Sequence, residues 1–358
     1  MTFETHFLDQ AKSGQWVKLK HIFQWYSNNN KWALITPAKD EVIDFLDAIS
    51  AEIESDNGYY LYTFMPSLKK QRSLAINHIK TWISVKPKLF FPKADINVYR
   101  IAVQLAIRVF WPDTLNQGQL GFCGPTTVLF DFDKRYPLRF AKCGIKLVET
   151  GTGRIELNDG RLGFDISLDR TEAGDWKTKG LPEADFIILR AIRQKAKALV
   201  PGSQSGGLDF KLDSDPSHAT TPKQIALLLE KAGYSDVKDD TIGWPGKAGK
   251  GTPSSFADKA NLDRCIIYSR ATMSKPVIIM LVAVELADRA LDPVTVDTSG
   301  RWDKANKLHD LHWIVVEKLK YSGRNVIGRL VTWTESKDFT FDKPTFLKLY
   351  HGFVYARP

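Results

Sequence analysis

Cys123 stands in the stretch NQGQLGFCGP, six positions after Gln117 and directly before Gly124 and Pro125. A cysteine attacks as its thiolate, and a free thiol is mostly protonated at neutral pH. Two arrangements lower its pKa: the positive end of a helix and an imidazolium neighbour. The first is legible here. Residues 123–135, CGPTTVLFDFDKR, read as a helix, and Pro125 fits its first turn, where a missing N–H costs nothing. Gly124 leaves the approach to the sulfur open, and Gly118 and Gly121 let the preceding loop fold tightly. Asp131 and Asp133 fall on the solvated face of this helix. Taken alone, Cys123 also fits a small hydrophobe at a helix end. Its neighbourhood favours chemistry.

With its Gln-Gly pair, its Gly-x-Cys ending and the same six-position distance, NQGQLGFCG resembles the active-site segment of papain-like cysteine peptidases. The resemblance implies that the Gln117 amide and the Cys123 backbone N–H form an oxyanion hole. It also implies a histidine at the start of a later strand. His312 opens the run HWIVVEKL, which reads as such a strand. Carried over, His312 is the general base that ion-pairs with Cys123 as thiolate and imidazolium and later protonates the leaving amine. His309 is the rival base, and a structural strand-edge role is the other reading of His312. His309, Asp310 and His312 lack a nearby residue to complete a metal site. No cofactor is implied.

The third member departs from the family. Trp333 in RLVTWTESKD matches the sheltering tryptophan, but Val331 stands where the family places asparagine. Thr332 is the nearest polar candidate to orient the imidazole; Thr334, Glu335 and Asp338 are the others. The ending FLKLYHGFVYARP, after HWIVVEKL and LVTWT, is similar to divergent bacterial papain-like proteins, several of them toxins or effectors. That likeness implies a protein or peptide substrate and an inhibitor or immunity protein as partner. It also implies a chain that is cytoplasmic as synthesised and delivered to a target cell without a signal peptide. Transglutaminases, glutamine deamidases and acyltransferases share the Cys–His thioester route, and a non-catalytic binding module is the third reading, kept open by Val331.

These residues need elements to hold them. The expected fold is α+β and papain-like: a helical subdomain carrying the nucleophile helix 123–135, packed on a mainly antiparallel sheet, with an N-terminal helical extension. Residues 1–95 form the helical region and 96–358 the catalytic domain, with insertions over 145–255 and the sheet over 275–358. Helical spacing marks 37–55, 73–85, 96–110 and 182–199. A short helix over 137–143 stops at Gly144, and 148–168 holds a hairpin. TTPKQIALLLEKAGY carries Thr221 as N-cap, Pro222 in the first turn, Gln224 closing a capping box and Gly233 as stop. VIIMLVAVELA (277–287) reads as a buried strand, YSGRN as a turn, and a short helix starts near Asp342 and Pro344.

Composition narrows the classes. The chain has 358 residues, 43% of them hydrophobic and 25% charged, enough for a large core or two domains. A net charge of +9 comes from scattered Lys and Arg without a dense basic, aromatic-laced run, so it reads as solvated charge and not as a nucleic-acid surface. Cys123, Cys143 and Cys265 fit neither a disulfide framework nor a zinc site; the last two read as packing residues on helices. The start, MTFETHFLDQAKSG, lacks a basic patch followed by an apolar run, and no apolar run is long enough to span a bilayer. PGKAGKGT (245–252) lacks the Gly-Lys-Ser/Thr ending of a phosphate loop and reads as a surface loop, as does 201–217.

Overall fold

The computed structural model describes residues 2–55, 66–85, 87–90, 96–117, 122–157, 162–168, 181–200, 220–242, 258–270, 275–291, 311–332 and 334–358. The expected loops 201–217 and 245–252, together with Gly118, Gly121, His309, Asp310 and Trp333, lie outside them. The chain divides into two compact units: Met1–Gly118 with Leu129–Glu156 and Phe164–Gln194, and Gln119–Val128 with Leu157–Gly163 and Lys195–Pro358. The helical region expected over 1–95 thus shares a unit with later helices.

The first unit is helical. Its elements are α1 (Asp9–Lys12), α2 (Trp16–Asn28), α3 (Lys39–Glu54), α4 (Pro66–Ser84) and α5 (Val98–Phe110). Most of α6 (Cys123–Arg135), all of α7 (Pro137–Thr150), the antiparallel hairpin β1 (Thr152–Ile155) with β2 (Phe164–Ser167), and most of α8 (Glu183–Leu199) complete it. The α4 helix packs on α3, α5 and α7. Two sequence expectations need correction here. The α7 helix runs on through Gly144 and ends at Gly151, which takes the left-handed conformation at φ +72°. Gly144 is a contact point instead: a Cβ there would come within 2.8 Å of Leu105 Cδ2 on α5. Asp131 and Asp133 are buried, not solvated.

The α5 helix is covered on every side from Arg100 to Phe110, yet carries Arg100, Gln104 and Arg108 one turn apart. These face the start of α8, where negative charge also suits the helix dipole. Arg100 pairs with Glu183, Gln104 Nε2 donates to Glu183 Oε2 at 2.7 Å, and Arg108 forks onto both carboxylate oxygens of Asp185. Burying such charges is tolerable only because each has a partner of opposite sign and near-complete hydrogen bonding.

The second unit is a six-stranded, wholly antiparallel sheet with helices. In chain order it holds the first turns of α6, then α9 (Pro222–Ala232), β3 (Ser235–Asp239), α10 (Lys259–Ser269), β4 (Val277–Ala283), α11 (Val284–Leu291) and β5 (Leu311–Ser322). After these come β6 (Asn325–Thr332), β7 (Glu335–Asp342), α12 (Lys343–Leu349) and β8 (Tyr350–Arg357). The strand order is β3-β8-β4-β5-β6-β7. The run read as one strand over 277–287 changes to helix at Val284, because Leu286, Ala287 and Ala290 at helical spacing join the core. Met280, Ile314, Leu330, Phe353 and Tyr355 present one sheet face to α10, α11 and α12 through Cys265, Leu286 and Phe346. On α9, Thr221 caps as expected: Gln224 N–H donates to its hydroxyl at 3.2 Å and Thr221 N–H donates to Gln224 Oε1 at 2.8 Å. The α+β class holds, and no described helix is long and apolar enough to cross a membrane.

Candidate functional site

Cys123 is the first residue of α6 and is half-buried. Thr126 N–H donates to the Phe122 carbonyl at 2.8 Å, which closes the opening turn. The thiol therefore sits where the amides of a first turn point outward and the helix dipole is positive. Gly124, the next residue, is a point of close packing. It is covered by Thr220: a Cβ added at Gly124 would lie 2.5 Å from Thr220 Cβ and 2.8 Å from both Cγ2 and Oγ1. Only glycine allows so close an approach.

Thr220 has a second hold. The Trp313 indole Nε1–H donates to the Thr220 carbonyl at 2.9 Å, and both groups are buried. Trp313 directly follows His312 near the start of β5. One residue thus touches the neighbour of the thiol and the neighbour of the imidazole, all within the second unit. Sequence reading missed Thr220 because nothing local marks a contact across so much chain. The tryptophan after His312 was its one visible trace.

Side chains alternate along a strand, so His312 and Trp313 leave β5 on opposite faces. His312 pairs in register with Val282 of β4, and its imidazole Nε2 lies 2.5 Å from the Thr332 hydroxyl at the end of β6. Both side chains are buried, at 4% and 7% exposure. Burial alone pushes the imidazole down to about 3, so it is neutral at physiological pH. Its buried environment favours the neutral imidazole.

The structure brings together His312 and Thr332 among the residues singled out. The other candidates for the third position stand differently. Thr334 is buried in the β6–β7 turn with φ +71°, Glu335 is in register with Thr332 as β7 begins, and Asp338 is exposed and 3.7 Å from Arg329. Gln117 is buried and belongs to the first unit, where the preceding Asn116 N–H donates to Asp185 Oδ2 at 2.9 Å. Cys143 and Cys265 are packing residues, with thiols pushed up to about 12 by burial. Compared with known proteins, the chain matches no family model, no curated protein and no solved structure.

Proposed function

We propose that the chain is a cysteine hydrolase of papain-like architecture that cleaves peptide bonds of a protein target. The observation that carries this reading is Cys123 at the opening of α6 in the same compact unit as the buried His312–Thr332 pair. In the proposed tautomer, Nε2–H donates to the Thr332 hydroxyl, which makes Nδ1 the base. As the sulfur attacks the carbonyl carbon, its proton passes to Nδ1, the carbonyl oxygen becomes an oxyanion, and the C–N bond then breaks as Nδ1–H protonates the leaving amine. Water hydrolyses the thioester by the same proton path in reverse. The Cys123 backbone N–H is the donor that this reading assigns to the oxyanion.

Burial favours the neutral imidazole, so this reading uses His312 as a general base during attack. The reading is tested by comparing proteomes of cells expressing the chain and its Cys123→Ala variant. Fragments of a target present only with the intact thiol are the expected result. A one-mass-unit gain or a new isopeptide bond in place of cleavage would reassign the chemistry to deamidation or transfer. Identical proteomes would remove the enzymatic reading.

A further inference from the structure

Thr220 is not part of any reacting group, yet its surroundings on both sides are unusual. Its side chain fills the space over Gly124, and all three atoms nearest a hypothetical Gly124 Cβ are Thr220's own: Cβ, Cγ2 and Oγ1. Its carbonyl is tied to β5 by the Trp313 indole. Its C-terminal neighbour, Thr221, is fixed as the N-cap of α9 by a reciprocal pair of hydrogen bonds with Gln224. Thr220 is itself 3% exposed. It is therefore held by a strand through its carbonyl and by a helix through the next residue, and it presses on a third element at the residue beside the nucleophile.

We propose that Thr220 and Trp313 are positioning residues, a strut that fixes the tip of α6 against the start of β5 and so holds Cys123 in place at the helix opening. The proposal rests on the hydrolase reading above. It explains why the residue after the nucleophile is glycine: Gly124 leaves room for the strut. It also gives the two adjacent residues of β5 separate tasks. Trp313 secures the nucleophile's segment, while His312 keeps its own partner, Thr332. A displacement of about 1 Å between reacting groups can cost about a hundredfold in rate, so a contact that moves the helix tip acts on catalysis without touching substrate.

The test is a clash and its relief, read on 4-nitrophenyl acetate turnover and on alkylation of Cys123 by iodoacetamide across pH. Gly124→Ala places a methyl where Thr220 now sits; kcat should fall about ten- to a hundredfold with KM little changed. The pH midpoint of alkylation should rise as the thiol is displaced from the positive end of α6. Thr220→Gly removes all three clashing atoms, so the double variant Gly124→Ala/Thr220→Gly should recover both readouts. A purely structural role would move the urea midpoint without this paired recovery. Where Gly124→Ala fails to fold, Trp313→Phe carries the test, because it deletes the N–H that holds the Thr220 carbonyl; its kcat should fall in the same way. Full turnover by Gly124→Ala or by Trp313→Phe, or a double variant as slow as the single, overturns the strut. If Cys123→Ala itself turns over the ester like the unaltered chain, the hydrolase reading fails, and the strut with it.

Discussion

At the scale of single residues, the proposed mechanism gives the hydroxyl of Thr332 the place of an amide or carboxylate that would otherwise orient an imidazole. The hydroxyl meets the imidazole Nε2 through one short contact and contributes no charge. Thr332→Val should therefore lower ester turnover by about tenfold, less than the 10²–10⁴ attributed to acid–base catalysis as a whole. Thr332→Ser should retain most of it; steady-state kinetics on the same ester check both. Burial also ties this site to pH. His312 is held near 3 and His351, on β8, near 4, against an ordinary value of 6.5. Below pH 6.5 the unfolded chain takes up protons that the folded chain refuses, so stability falls as pH drops through that window. Each tenfold rise in proton concentration there weighs about 1.4 kcal/mol per histidine. Urea unfolding from pH 7 to 5 should show this loss, and His351→Gln should flatten it.

At the scale of elements, much was legible because the signals are local. Cys123–Arg135 was readable from a proline in a first turn, and Pro222–Ala232 from its capping box, Pro222 and Gly233. Thr221→Ala should cost about 1 kcal/mol of stability by urea unfolding, with the added consequence that the adjoining Thr220 loosens. Where the reading went astray, a long-range contact had overruled a local cue. Gly144 looked like a stop, but its missing side chain admits Leu105. Asp133 looked solvated because of its charge, but α6 buries it completely near Arg72, Arg108 and Asp185. The run 277–287 holds one apolar character through two conformations, and hydropathy alone cannot mark the change at Val284. Of the site, Cys123, His312 and Thr332 could be named from motif and pattern. Thr220 could not, since its role exists only once a strand and two helices have met.

At the scale of the whole molecule, stability draws on two different kinds of interior. The sheet unit is anchored by an apolar layer of Met280, Ile314, Leu330, Phe346 and Phe353. The helical unit carries paired charge inside it. Asp185→Ala would strand the buried Arg108 guanidinium, a loss of about 3–5 kcal/mol, visible as a lower urea midpoint. Asp133 works in the opposite direction. Both its oxygens are buried without a hydrogen-bond partner, and burial raises its pKa well above the usual carboxylate value. The folded chain keeps a proton there that the unfolded chain releases, so stability declines as pH climbs above the ordinary carboxylate range. Asp133→Asn should raise the unfolding midpoint at pH 7 and leave it nearly unchanged near pH 3.

The order of strands has a bearing on how the protein behaves in a crowded solution. Its two outermost strands, β3 and β7, offer SDVKD, with an irregular register against β8, and ESKDFTFD. Lysines and acids spaced along both margins, with a kink in one, discourage another chain from adding itself as a seventh ribbon. Margins of this kind leave the sheet a poor template for its own copies.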